Sequence, residues 1–323
     1  MRCLVTGVAG FIGSSLAEEL IRQGHEVVGV DSFVPYYPRA IKEANLHWLR
    51  TQRAFRLIEN DIVTLFADES AEGFKLLEGV DVVFHQAAQA GVRASWGTYF
   101  ESYCHNNVLA TQKLLEACKG REGLKFVYAS SSSVYGETGK FPMEEDDLPV
   151  PVSPYGVTKL AAEHLVRLYT ANYGLHTVSL RYFTVYGPRQ RPDMAFHRII
   201  RAALTGSEFV LFGTGEQTRD FTYISDIVAA NIAAAQNGQP GGVYNLGGGS
   251  QVSMTQVILL IEEITQRKLN VRRASRERGD VTHTGASVER ARRDLGFVPK
   301  VSLREGLEAE VCYIRDVVLP MDV

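Results

Sequence analysis

"VTGVAGFIGSS", Val5 to Ser15, closes the apolar run "RCLVT" and opens a segment whose apolar residues recur every three or four positions. Its glycines, Gly7, Gly10 and Gly13, are spaced G-x-x-G-x-x-G. Glycines between a strand and a helix meet three needs of a dinucleotide site. They allow a tight turn, close approach of backbone to a pyrophosphate, and close packing of helix on strand. The helix N-terminus then aims backbone amides at the anion. The usual fingerprint is G-x-G-x-x-G, so this spacing departs from it, and three glycines alone also suit an ordinary turn. Their position directly after the first strand favours the nucleotide.

Asp31 ends the next apolar run, "VVGVDSF", about 20 residues beyond the glycines. A carboxylate there accepts hydrogen bonds from adenosine ribose hydroxyls and repels a 2′-phosphate, which points to NAD over NADP. The competing reading is a cap or turn aspartate.

Further along, "DVVFH", "KFVYA" and "TVSLR" are apolar runs without polar alternation, as in a sheet buried on both faces. Between the runs lie helical patterns: "SSLAEELIRQ", "YCHNNVLATQKLLEACK" and "PYGVTKLAAEHLVRLYTANY". This alternation predicts an α/β fold with a doubly wound parallel (Rossmann) sheet. After about Arg181 the pattern loosens, with more glycine and a basic patch near "RRASRERGD". Residues 1–181 are therefore assigned to the dinucleotide-binding domain and 182–323 to a smaller C-terminal α/β substrate lobe. The boundary is approximate and interleaving stays open. "EEDDLPVPVSP" (Glu144–Pro154) is too proline-rich for regular helix.

Composition excludes several classes. Of 323 residues, 45% are hydrophobic and 22% charged, with a formal net charge of −3. Weak, scattered acidity argues against a nucleic-acid partner. No apolar run reaches the 18 residues of a membrane span. The apolar N-terminus carries glycines and the acidic Glu18 and Glu19, which speaks against a signal peptide. Cys3, Cys104, Cys118 and Cys312 show neither disulfide nor zinc spacing, so no metal is expected and the cytoplasm is the default location.

A second signal is "SPYGVTKLAAE", with Tyr155 and Lys159 four apart at a helix start. Ser153 suits the N-cap and Pro154 the first helical position. Four-residue spacing puts phenol and ammonium on one face, where the positive charge favours the phenolate as a base. Tyr-x-x-x-Lys alone is common on surfaces; beside the glycine loop and Asp31 it gains meaning.

Together these pieces resemble the extended short-chain dehydrogenase/reductase family over essentially the whole chain. "TGVAGFIG", "VDSF", "NDI", "HQAA", "NNVLAT", "SSSSVYG", "YGVTK", "RYFTVYGP" and "TRDFTYISD" come in the family's order. The resemblance implies tightly bound NAD+ held by Gly7, Gly10, Phe11, Ile12, Gly13 and Asp31, with Asp61 and Ile62 flanking adenine. It also implies Ala87 at the cofactor, Asn106 bridging a structural contact near it, Tyr155 as base, and Lys159 on the nicotinamide ribose, tuning Tyr155. Ser131 aligns with the hydroxyl that bonds the sugar's reacting oxygen.

The serine run from Ser130 to Ser133 separates branches of the family. Nucleotide-sugar 4,6-dehydratases resemble Thr-Asp-Glu-Val-Tyr-Gly here, and UDP-glucuronate decarboxylases resemble Thr-Ser-Glu-Val-Tyr-Gly. Ser131-Ser132-Ser133 lacks the carboxylate of either, which leaves oxidation at C4 and its reversal: epimerisation. The stretch "RYFTVYGPRQRPDMAFHRII" is similar to that of UDP-glucuronate 4-epimerases, with Thr184 where UDP-galactose 4-epimerases have asparagine. Thr184, Ser132 and Ser133 would surround a C6 carboxylate with neutral donors, although the same hydroxyls would accept a CH2OH. UDP-glucose/UDP-galactose epimerisation is the alternative.

By the same resemblance Arg219 takes the diphosphate, with Arg191 and Arg278 as weaker candidates, Asp280 the uridine ribose, and "FVLFGTG" (Phe209–Gly215) the uracil. Arg93 joins the expected substrate contacts, and the family implies a homodimer through helices near Asn107–Cys118 and Tyr155–Tyr173. A non-catalytic NAD-binding regulator would have lost Tyr155, Lys159 or Ser131. A dehydrogenase releasing oxidised product would need exchangeable NAD.

Overall fold

The apolar runs become neighbouring strands of one parallel sheet. The computed structural model describes residues 1–68, 72–249, 251–275 and 279–321. Its strands are β1 (Arg2–Thr6), β2 (Glu26–Asp31), β3 (Phe55–Glu59), β4 (Val82–His85), β5 (Lys125–Ser131), β6 (His176–Tyr182), β7 (Thr184–Tyr186), β8 (Glu208–Phe212), β9 (Thr218–Tyr223), β10 (Gly242–Leu246), β11 (Gln251–Ser253) and β12 (Asn270–Ala274). Seven of them pair in the order β10-β6-β5-β4-β1-β2-β3, all parallel. The order reverses between β1 and β4, and such a switch point opens a crevice outside the carboxyl ends of the strands.

Each face of the sheet is covered. Leu16 and Leu20 of the helix Phe11–Arg22 share one core with Ile227 and Val228 of the helix Ile224–Asn237. Leu114, Leu115, Val166 and Tyr169, from the helices Ala110–Cys118 and Pro154–Tyr173, fill the other. The second of these helices starts as its sequence predicts. Ser153 Oγ accepts from Gly156 N at 3.1 Å, Pro154 follows, and Gly174 ends the helix at φ 68°. The segment 144–153 contains no helix.

After Tyr182 the chain leaves the sheet. It forms a three-stranded sheet (β11-β9-β7) and a two-stranded one (β12-β8), around a separate core of Phe196, Ile200, Phe221, Val257 and Leu307. It then returns: β10 pairs with β6 in register from Gly242–Val178 to Leu246–Tyr182. The seventh strand of the nucleotide sheet thus comes from sequence beyond residue 181.

Candidate active site

At the switch point lies a cleft of about 370 Å³. Gly7, Gly10, Phe11, Ile12, Gly13, Asp31, Asp61, Ile62, Ala87 and Asn106 line one part of it; Ser131, Ser132, Ser133, Tyr155, Lys159, Thr184 and Arg191 line the rest. Residues far apart in the chain meet because strand ends of the parallel sheet, the helices containing Asn106 and Tyr155, and the segment leaving β6 converge there.

The glycines are sterically required. Gly7 sits at φ +67°, and a Cβ there would come within 2.8 Å of the Ala87 backbone. A Cβ on Gly13 would stand 2.2 Å from the Gly7 carbonyl oxygen. The helix Phe11–Arg22 begins at Gly10 with no side-chain cap, which leaves its first amides available to an anion. Asp31 is 9% exposed; its Oδ2 accepts from Ala9 N at 3.0 Å and its Oδ1 from Phe33 N at 2.8 Å. Asp61 caps the turn Ile62–Leu65 by accepting from Val63 N at 2.9 Å, and His105 Nε2 lies 3.3 Å from its carboxylate. A cradle without Cβ atoms, an uncapped helix start and a fixed carboxylate at the end of β2 fit a dinucleotide.

At the other part, Ser131 ends β5 in extended backbone. Its hydroxyl accepts from Ser133 N at 3.1 Å and lies close enough to the Tyr155 phenol to act on its ionisation. Burial pushes the Tyr155 phenol up; the Ser131 hydroxyl and then the Arg191 charge pull it down. Lys159 is 2% exposed, with Nζ 4.6 Å from the centre of the Tyr128 ring. Burial pushes Lys159 down to about 7, opposed by the Glu163 carboxylate. Glu163 is itself buried and gripped by Arg181 at 2.6 and 3.0 Å. The Ser130 hydroxyl is spent on Glu163 as well, at 2.6 Å. Of the four serines, only Ser131, Ser132 and Ser133 keep hydroxyls for a ligand.

Arg191 lines the cleft with its guanidinium forked onto Asp193 at 3.0 and 3.0 Å. Arg93, Arg219 and Asp280 are not among the lining residues. Arg93 and Asp280 pair with each other at 2.7 Å, with the Arg93 guanidinium 4.3 Å from the centre of the Phe212 ring. Arg219 donates to Val281 O at 2.7 Å and Thr282 O at 3.2 Å, so it grips the main chain next to Asp280. Arg278 lies outside the described residues.

Three residues escaped the sequence reading. Asn106 lines the cleft, but among the described residues its side chain bonds Ser102 O alone, at 2.9 Å. The bridge expected of it belongs to Asn107, which accepts from Gln89 N at 2.7 Å and donates to Gln89 O and Thr158 Oγ1, both at 3.0 Å. That ties the loop after β4 to the Tyr155 helix.

His85, at the end of β4, is fully buried between Thr6 Oγ1 at 2.8 Å and Thr111 Oγ1 at 2.9 Å. Thr111 donates to Asn107 O at 2.6 Å, so it accepts from His85 Nε2 and fixes the tautomer. Burial, and secondarily the Lys159 charge, hold His85 down to about 3, so it stays neutral. The third is Lys42, which lines the cleft beside Asp31.

The chain matches the model of the NAD dependent epimerase/dehydratase family over residues 3–247. It is 45% identical over 319 residues to an uncharacterized UDP-glucose epimerase of Bacillus subtilis, covering 97% of this chain and 98% of that one. With a UDP-glucuronate 4-epimerase of Thermodesulfobacterium geofontis it shares 38% identity over 318 residues, 97% of this chain and 96% of the relative. The solved UDP-glucuronic acid 4-epimerase from Bacillus cereus, in complex with UDP-glucuronic acid and NAD, superposes with a TM-score of 0.93 at 44% identity, covering 98% of this chain and 100% of the other.

Proposed function

Because the chain belongs to the NAD-dependent epimerase/dehydratase family, we propose that it inverts C4 of a UDP-sugar, converting UDP-glucuronate to UDP-galacturonate. The observation that carries this reading is the hydroxyl wall of Ser132, Ser133 and Thr184 in the same cleft as the Ser131–Tyr155 pair. No carboxylate stands in the serine run to drive dehydration or decarboxylation.

NAD, when bound, supplies the acceptor and later the donor of the C4 hydride. Tyr155 takes the C4 hydroxyl proton through its phenolate and returns it after the 4-keto sugar has turned over. Ser131 holds the C4 oxygen beside that phenol. Lys159, buried in the cleft one helical turn beyond Tyr155, bonds the nicotinamide ribose. Ser132, Ser133 and Thr184 hold the C6 carboxylate with neutral donors, while the guanidinium of Arg191 in the same cleft is forked onto Asp193. Arg219 braces the Asp280 segment at the nucleotide of the substrate, and Arg93 and Asp280 exchange their mutual ion pair for the uridine ribose and diphosphate.

Residues 1–181 together with β10 would carry the cofactor, and the remainder of 182–323 the UDP-sugar. Leu109, Val157, Leu168 and Tyr173 are between 41% and 54% exposed on the two helices expected at a homodimer interface. Among the described residues no helix is long and apolar enough to cross a membrane; we place the dimer in the cytoplasm.

The test is to incubate purified protein with UDP-glucuronate and UDP-glucose separately, without added NAD, and resolve the products. UDP-galacturonate should form faster than UDP-galactose. Protein inert to UDP-glucuronate but active on UDP-glucose would establish the second reading, favoured by the Bacillus subtilis relative and by hydroxyls small enough for a CH2OH.

A further inference from the structure

Thr184 and Arg191 belong to the segment that leaves the nucleotide sheet, and the middle of that segment is held from two sides. Arg189 stands in the left-handed region at φ 74°, which side chains disfavour. Such backbone persists where its surroundings impose it. On one side the sugar lobe does so. Gly187 N donates to Glu310 Oε2 at 2.9 Å, and Gln190 Nε2 donates to Val185 O at 3.1 Å. On the other side the Arg189 side chain crosses to the cofactor helix Phe11–Arg22. Its Nη2 donates to Glu18 Oε1 at 2.5 Å and its Nη1 to Ser14 Oγ at 3.4 Å.

Both acceptors are buried, Glu18 at 6% exposure and Ser14 at 0%. The second Glu18 oxygen accepts from Arg22 at 3.2 Å. Neither Arg189 nor its two acceptors line the cleft; Arg189 and Glu18 line a separate hollow with Trp48 and Tyr313. The contact therefore joins two walls of the cleft from outside it. One wall is the helix whose first residues, Gly10 to Gly13, line the nucleotide part. The other is the segment that presents Arg191, two residues on, to the sugar part. A hydrogen bond between two charged groups is the stronger kind.

We propose that Arg189 is a positioning residue: clamped to Glu18, it sets the distance between the sugar wall and the cofactor helix. This rests on the proposed function, in which hydride leaves C4 for NAD+ and the reduced nicotinamide returns it to the opposite face of the same carbon. The first transfer starts from a sugar seated in its ground-state contacts. The second acts on a 4-keto sugar that has turned over and exchanged those contacts, so it depends more on the spacing of the walls. A slackened clamp slows hydride return more than hydride removal.

The test is steady-state turnover of whichever UDP-sugar, glucuronate or glucose, the wild type inverts, with bound reduced nicotinamide followed by its near-ultraviolet absorbance. Arg189→Met should lower kcat by about tenfold, because misplacement remote from the chemistry acts through geometry. KM should change by less than about twofold. During turnover a larger fraction of the bound cofactor should be reduced than in wild type. Loss of folded protein alone lowers the rate without raising that fraction. Glu18→Gln should act in the same direction, and it carries the test if the methionine variant does not fold. Combining the two should add little, since both break one contact. Wild-type kcat in both variants, slower turnover with the reduced fraction unchanged, or additive losses in the double variant would overturn the proposal. Wild-type protein that inverts neither UDP-sugar would instead overturn the proposed function itself.

Discussion

The two parts of the cleft are built by different means. The nucleotide part is mostly backbone: glycines that leave room, amides left uncapped, and a strand end that fixes Asp31. The sugar part is side chains, with Ser131 to Ser133 from the end of β5, Tyr155 and Lys159 from a helix, and Thr184 and Arg191 from the segment leaving the sheet. A site made of backbone can be damaged only by altering its path. A site made of side chains is retuned one atom at a time, so the proposed function puts selectivity among sugars there.

The sharpest contrast is Tyr155→Phe, which removes one oxygen. Turnover should fall by roughly 10²-fold or more, with UDP-sugar affinity by calorimetry nearly unchanged. A variant retaining more than about a tenth of the rate would deny Tyr155 its role. Gly13→Ala adds one carbon at the other part, 2.2 Å from the Gly7 carbonyl. It should cost about 1–3 kcal/mol in strain, seen as a lower denaturation midpoint together with loss of copurified NAD. Unchanged values for both would mean that the loop yields where its geometry says it cannot.

Thr184→Val should reduce kcat/KM for UDP-glucuronate by about one to two powers of ten, because a charged acceptor loses a donor. UDP-glucose should suffer clearly less, and equal losses on both sugars would remove Thr184 from recognition of C6. The smallest effect concerns His85, which lies beneath the cleft. Its folded value is held near 3, below the ordinary 6.5 of the unfolded chain. The unfolded state therefore takes up a proton first as pH falls through 6.5. Relative to His85→Gln, wild-type stability should drop by about 1 kcal/mol between pH 6.5 and 5.5 and stay flat above 7.5. Parallel stability curves for the two proteins would show that the histidine titrates in place.

The sequence made the nucleotide part legible because its determinants are local. A glycine spacing, a strand and a carboxylate about 20 residues on are read along the chain. Tyr155 and Lys159 were legible because they lie in the first turns of a helix whose cap the sequence marks, whereas Ser131 was legible only through the resemblance to the family. Other features depend on what packs against them. β3 mixes half-buried and exposed positions at the sheet edge and includes Arg56 and Glu59, so it does not read as an apolar run. Asn106 and Asn107 are identical neighbours inside the π-helical stretch Cys104–Leu109, and only the widened turn decides which faces inward. Lys42 looks like one more surface lysine until β2 and its own helix bring it to Asp31. Arg219 reads as a free cation until the 281–282 carbonyls close around it.

β10 carries a consequence for how this chain can be cut or inherited. A gene fragment ending at Arg181 encodes Gly7, Gly10, Gly13, Asp31, Tyr155 and Lys159, yet leaves β6 as an unprotected border. Val178 and Leu180, 2% and 0% exposed in the whole protein, would flank a row of unsatisfied amides and carbonyls, a template for pairing between copies. The fragment should therefore precipitate rather than bind nucleotide. Recombination that swaps sugar lobes between relatives must leave residues 242–246 with the recipient sheet, so the exchange needs three crossover points, near residues 182, 241 and 246, instead of one.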